Sequence, residues 1–108
     1  MSRAFFEAYR TLAFGSISGT YAQIGTPFPN PLRVFRIINN TEGDMIFSVD
    51  AINDQFFIPA GGFLLYDIEA NKKTANQLEV DANTVFFVKQ STAPVSGAVY
   101  VEGVSALN

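Results

Sequence analysis

Four of the ten acidic side chains of this chain fall in pairs around turn residues. Glu42 and Asp44 flank Gly43, while Asp50 and Asp54 flank Ala51-Ile52-Asn53. Two nearby carboxylates are the minimum for general acid and base work of the kind glycoside hydrolysis needs. Asp50, Asn53 and Asp54 also form the best oxygen-donor cluster for calcium or magnesium, but no EF-hand loop pattern surrounds them. Turns select the same residues for a simpler reason, because Asp and Asn side chains hydrogen-bond nearby backbone. Asp50, Asn53 and Asp54 are therefore read as structural turn residues, with no metal and no cofactor.

Other chemistry is thinly supplied. The chain has no His and no Cys, which removes the commonest general base, the commonest metal ligand and the thiol nucleophile. Serine catalysis would have to rely on Lys72, Lys73 or Lys89, and no serine sits in a nucleophile-elbow pattern. Gly61-Gly62 precedes neither a helix nor a Lys-Ser/Thr pair, so it is not a phosphate loop. Its role is conformational, a turn or bulge between Ile58 and Phe63. Asn39-Asn40-Thr41 matches a glycosylation acceptor, a short pattern that is read as hairpin chemistry. The expectation is a protein that is not an enzyme.

Composition points to contact. Only 16% of the 108 residues are charged while 48% are hydrophobic, and eleven are phenylalanine. An ordinary domain carries about 25% charge. A single domain so poor in charge is expected to leave apolar area facing water, a usual mark of contact surfaces. The net charge is −3, and the seven basic residues are scattered, so no nucleic-acid surface is expected. No stretch approaches the roughly 18 apolar residues of a membrane span, and the first residues lack a signal-peptide pattern. The chain is expected to be made in a cytoplasm and not to enter a membrane.

These side chains are carried on short strands. In the first dozen residues Phe5, Tyr9 and Leu12 fall close to helical spacing, and residues 1–11 are read as an N-terminal arm or short helix. Residues 12–108 are read as one β-sandwich domain. Strand patterns run through 12–18, 21–24, 32–38, 45–50, 56–58, 63–68, 78–80, 84–89 and 98–104, separated by Asn, Asp, Gly and Pro clusters. Pro27, Pro29 and Pro31 exclude a helix or a central strand between residues 25 and 31. Alternation places Met45, Phe47, Val49, Leu64, Tyr66, Phe86, Val88, Val99 and Val101 inward. Several strands are apolar on both faces, so their outer face is expected to meet another chain. The fold class is all-β, an antiparallel sandwich of about seven or eight strands with a short N-terminal arm.

From Ile24 to Ile68 the order of motifs looks familiar: Ile24-Gly25-Thr26-Pro27, Ile37-Ile38-Asn39-Asn40, Phe47-Ser48-Val49-Asp50-Ala51-Ile52-Asn53-Asp54 and Phe57-Ile58-Pro59-Ala60-Gly61-Gly62. Phe63-Leu64-Leu65-Tyr66-Asp67 follows, and Gly97-Ala98-Val99-Tyr100-Val101-Glu102 closes the pattern. This order resembles the small virion structural proteins of tailed bacteriophages, with Ala51 standing where such a turn would take Gly. The resemblance implies a repeated particle component without catalytic residues. Head decoration, as a cement protein stabilising the capsid, is the first expectation, and a neck or tail (head–tail connector) component is the alternative. A carbohydrate- or receptor-binding sandwich using Tyr9, Tyr21, Tyr66 or Tyr100 is a third. The partners implied are the major capsid protein or neck and tail proteins together with copies of the chain itself, in a virion assembled in the host cytoplasm. Phe5, Phe6, Tyr9, Pro27, Phe28, Pro29 and Ile46 are the residues expected at the interface.

Overall fold

The computed structural model describes residues 3–67 and 83–107. Among them run nine strands: β1 (Arg3–Phe6), β2 (Arg10–Ala13), β3 (Ala22–Phe28), β4 (Leu32–Thr41), β5 (Met45–Ser48), β6 (Phe56–Ile58), β7 (Phe63–Asp67), β8 (Thr84–Gln90) and β9 (Gly97–Leu107). All pairings are antiparallel. One sheet has the order β1-β9-β4-β7 with β2 also on β9, and the other has the order β3-β8-β5-β6. The fold is the expected all-β antiparallel sandwich. The pattern at residues 78–80 lies outside the described residues.

The N-terminal segment is not an arm or a helix. Phe6 pairs with Val104 and Arg10 with Val101, so β1 and β2 lie end to end along one edge of β9 and together fill one of eight strand positions. Three residues, Glu7 to Tyr9, oppose two on β9, which makes a β-bulge. The Glu7 N–H still donates to the Gly103 carbonyl at 3.1 Å. A short helix has nothing to pack on, whereas a strand here satisfies its backbone against an existing edge.

The core is built from the inward residues of both sheets. Ile24, Phe28, Met45, Phe47, Ile58, Phe86 and Val88 come from one sheet, and Leu32, Phe35, Ile37, Val99 and Val101 from the other. Each such side chain contributes on the order of 1.5–3 kcal/mol by leaving water. Two residues expected inward are exposed. Val49 falls just past the end of β5, where the pleat no longer aims it, and Tyr66 lies on the edge strand β7 with its ring stacked on Phe35 at 5.6 Å. The Pro27 region is strand after all, but β3 is an edge strand whose register shifts between Ile24 and Phe28, the setting in which proline is tolerated.

Polar side chains tie the two sheets together. Asn39, fully buried on β4, donates to the carbonyls of Gly43 (2.8 Å), Ile58 (3.0 Å) and Pro59 (3.2 Å), and its Oδ1 accepts from the Thr41 hydroxyl at 2.7 Å. Arg10 on β2 donates from Nε to the Thr26 carbonyl (2.9 Å) and from Nη2 to the Pro27 carbonyl (3.0 Å), and it lies over the Phe28 ring at 4.1 Å. At the start of β9, Gly97 has φ +93, and a Cβ there would stand 2.0 Å from the Asn40 carbonyl oxygen. Only glycine fits that approach.

Candidate contact surface

The outer face of the five-stranded sheet is apolar where solvent should favour polar groups. Tyr100, Glu102 and Val104 of β9 alternate away from the core, as do Val34, Arg36 and Ile38 of β4 and Phe63 and Leu65 of β7. Phe6 joins them from β1, and Tyr9 projects from the bulge. Phe6 is 78% exposed, Tyr9 61%, Phe63 66% and Leu65 58%. Between the two flanks lies a concavity of about 400 Å³ lined by these four residues together with Val34, Val104, Arg36 and Glu102. Arg36 and Glu102 are opposite each other across the β4–β9 ladder, and the guanidinium reaches Glu102 Oε1 through Nη2 at 2.5 Å and Nε at 2.7 Å. An exposed pair of this kind contributes only about 0–1 kcal/mol to stability. Its place at the centre of an apolar face is the informative feature.

A second apolar region lies on the other sheet. The β5–β6 hairpin exposes Val49, Ile52 and Phe57. Its loop is the sequence's best carboxylate cluster, and the geometry is that of a closed turn. Asp50 Oδ1 accepts from the backbone N–H groups of Asn53 and Ile52, both at 2.9 Å, and from the Ser48 hydroxyl at 2.7 Å, while Oδ2 accepts from the Asn53 amide at 2.8 Å. Those donors hold the Asp50 carboxyl far below the usual carboxylate range, the backbone ones foremost. Asp54 accepts from the Tyr21 hydroxyl (2.5 Å) and pairs with Lys89 Nζ (2.9 Å), and both contacts lower its pKa, the Tyr21 bond most. Partial removal from water and the bond to Asp54 push the Tyr21 hydroxyl up to about 12. Ala51 takes a left-handed φ of +62, the conformation that glycine favours at such a turn. Gly61 takes φ +74 in the next turn, and the Gly62 carbonyl accepts from Asn39 N–H at 2.9 Å. Among the described residues, no group of three or more His, Cys, Asp or Glu is placed to hold a metal ion, and no helix is long and apolar enough to cross a membrane.

Of the residues named from sequence for the interface, Phe6 and Tyr9 meet on this face. Pro27, within β3, and Pro29, just past its end, are exposed and do not line the concavity, and Phe5 is opposite Ser105 in the β1–β9 register. Phe28 is 1% exposed, packed edge-on to Phe86, so its side chain is core. The prolines around Phe28 argue against regular strand and hide this, although Phe28 shares the parity of buried Ile24 and alternation along the edge strand β3 would place it inward. Ile46 is half-buried between Phe57 and Lys89 in register. Phe63, Leu65, Arg36 and Glu102 were not singled out. The first two were accessible from the alternation of β7, which sets them opposite Leu64 and Tyr66. The ion pair required the β4–β9 register. Among the tyrosines, Tyr21 is tied to Asp54, Tyr66 stacks on Phe35 and Tyr100 meets Tyr9 edge-on at 5.8 Å.

No family model and no curated protein matches this chain. Among solved structures, the SPP1 Dit (gp 19.1) protein, described as a paradigm of hub adsorption apparatus in phages infecting Gram-positive hosts, is similar over 97% of this chain and 49% of its own, at a TM-score of 0.42 and 8% identity. The chain thus spans about half the length of that protein. A likeness of that degree carries no argument about function, which rests on this chain's own surfaces.

Proposed function

We propose that this chain is a non-enzymatic structural component of a tailed-phage particle, present in several copies and seated in its neck or tail. The observation that carries the reading is the outer face of the five-stranded sheet, with Phe6, Tyr9, Phe63 and Leu65 all more than half exposed around a shallow concavity. The order of motifs from Ile24 to Ile68 supports the phage setting. A second, chemically different apolar region on the β5–β6 hairpin supports neck or tail over head decoration. Two unlike surfaces on one subunit are what a head-to-tail contact needs, and such contacts form rings where the rotation between neighbours closes.

The energetics fit a multi-copy role. Full burial of the four large side chains on this face contributes at most about 6–12 kcal/mol, which an association cost on the order of 4–15 kcal/mol largely offsets. A single face is therefore a weak contact, and repetition around an assembly raises the effective concentration enough to hold it. Partners are then other virion proteins and further copies of the chain, in a particle assembled in the host cytoplasm. Quantitative mass spectrometry of purified particles tests this reading. A ring predicts about six or twelve copies per particle. Hundreds of copies would return the protein to head decoration, and absence from particles would overturn the proposal.

A further inference from the structure

We infer that strand β1 is exchanged between copies of this chain, residues 3–7 of one copy taking the place of the same residues on β9 of a neighbour. The inference rests on reading the protein as a multi-copy component, and it names what joins one copy to the next. The observation behind it is how unequally the two N-terminal strands are held. β2 packs Leu12 against the core, donates from the Thr11 hydroxyl to the Val99 carbonyl at 3.0 Å, and is tied to β3 through the Arg10 guanidinium. β1 has four residues, pairs among the described residues with β9 alone, and ends on Phe6, which is 78% exposed. Fixing the backbone of so short a strand costs about what an edge ladder of that length returns, so β1 leaves its edge at little net cost.

The joint lies between the two strands. Ala8 and Tyr9 are both exposed and stand in the bulge, outside both ladders. A change of backbone angles there carries β1 off β9 while Arg10 and Leu12 keep their places.

What β1 leaves behind is a specific acceptor. The vacated edge of β9, from Gly103 to Leu107, presents unpaired backbone groups, which template an antiparallel strand. Ser105 is fully buried, and its hydroxyl donates to Glu7 Oε2 at 2.8 Å, as the Asn30 amide does at 3.1 Å. A strand that fills this edge must therefore bring a carboxylate just after its paired residues, or leave a buried hydroxyl unsatisfied. Residues 3–7 of a second copy bring it, in the same register and with the same contacts. Exchange of an identical element needs no new complementary surface, and passing β1 from each copy to the next is a head-to-tail linkage. In an assembly, neighbours stand at an effective concentration of about millimolar, which favours the exchanged form without any added contact.

Introduced thiols report the pairing directly, because the chain has no Cys. Phe6 and Val104 are opposite each other in the β1–β9 register. Full chains carrying Phe6→Cys alone or Val104→Cys alone, the second isotopically heavy, are mixed at about millimolar concentration and oxidised. Mass spectrometry then reads the disulfide joining position 6 of one chain to position 104 of the other. It is expected to form at least about tenfold faster than the disulfide between Phe6→Cys and Val95→Cys, an exposed loop site that only random collision brings to β1. Deleting Ala8 provides the second arm. It leaves two residues opposite two on β9 with both faces in phase, so β1 and β2 become one regular strand held on its own chain. The deletion is expected to slow the 6–104 disulfide at least about tenfold, and in cysteine-free chains to remove the species heavier than monomer in sedimentation equilibrium.

Circular dichroism checks folding, and the disulfide comparison stands alone should the deleted chain fail to fold. A 6–104 disulfide no faster than the collision control overturns the inference if the Phe6→Cys/Val104→Cys double variant closes within one chain. If the double variant does not close, sedimentation decides, and a wild type no heavier than the Ala8-deleted chain overturns it. A protein that keeps β1 on its own chain yet is found in particles would overturn the exchange and leave the particle role standing. Exchange by a protein absent from particles would support the inference and remove that role.

Discussion

Replacing Asn39 by alanine is the most direct test of how the two sheets are joined. Asn39 is fully buried, and its amide donates to three carbonyls on segments from Gly43 to Pro59, so one side chain on the five-stranded sheet holds the β4–β5 turn and the end of β6. The structure shows which groups lose most. The Gly43 carbonyl retains the Thr41 hydroxyl at 3.0 Å, and the Pro59 carbonyl retains the Gly62 N–H at 2.9 Å. The Ile58 carbonyl and the Thr41 N–H, which Asn39 Oδ1 accepts at 3.2 Å, lose their side-chain partner within the protein. A buried polar group left without a partner costs about 1–3 kcal/mol, so Asn39→Ala should cost about 2–5 kcal/mol. Domains of this size have a total stability on the order of 5–15 kcal/mol, so the loss is a large share of the whole.

Urea unfolding followed by circular dichroism measures the effect, with Asn40→Ala, at an exposed site next door, as the control. The midpoint should fall with little change in slope, and the melting temperature should drop by at least about 8 °C. The control should stay within about 0.5 kcal/mol of the wild type. Asn39→Asp should be worse than Asn39→Ala at neutral pH, because it sets a negative charge against carbonyl oxygens and supplies no donor. A loss below about 1 kcal/mol for Asn39→Ala would refute the reasoning and show that water or backbone movement satisfies these groups.

Two further outcomes follow from the β5–β6 loop. Ala51→Gly should stabilise the domain by up to about 1 kcal/mol, since relief of a left-handed conformation worth about 1–2 kcal/mol exceeds the added unfolded-state entropy, and thermal melting of the pair of proteins reads it directly. Asp50 has a folded pKa below its unfolded value of about 3.9, so it adds stability above that pH and loses it as pH falls toward the folded value. Urea midpoints between pH 5 and about 2 should therefore fall more steeply for the wild type than for Asp50→Asn, and parallel curves would show that the turn is not held by the ionised carboxylate.

Much of the fold was legible because it depends on short-range chemistry. Turn clusters at residues 39–44, 50–54 and 59–62 delimit strands whose alternation marks Met45, Phe47, Phe86, Val88, Val99 and Val101 as core, and all six are buried. Ala51, noted from sequence as standing where a turn would take Gly, has the positive φ that makes the substitution meaningful. Alternation helps only where a strand is recognised and continues. The prolines at 27, 29 and 31 conceal the end of β3, where Phe28 keeps the inward parity of Ile24, and Val49 falls one residue beyond β5. The first residues were misread because Phe5, Tyr9 and Leu12 mimic a helical stripe, when what decides their structure is a partner edge about 100 residues away in sequence. No local pattern announces that edge.

The contact surface divides along the same line. That some strands must turn apolar residues outward is written in β7, where Phe63 and Leu65 are as hydrophobic as Leu64 between them. Which outward residues form one surface is not, because Phe6, Arg36, Phe63 and Glu102 come from four strands far apart in sequence and are joined only by the order β1-β9-β4-β7. The same order decides what the surface can do. With β9 and β4 side by side, Arg36 and Glu102 fall across one seam, with Phe6 at the level of Val34 and Phe63 at the level of Ile38, toward opposite ends of the face. The surface thus follows from strand order, and it becomes visible only once the long strand β9 is placed between the N-terminal strands and β4.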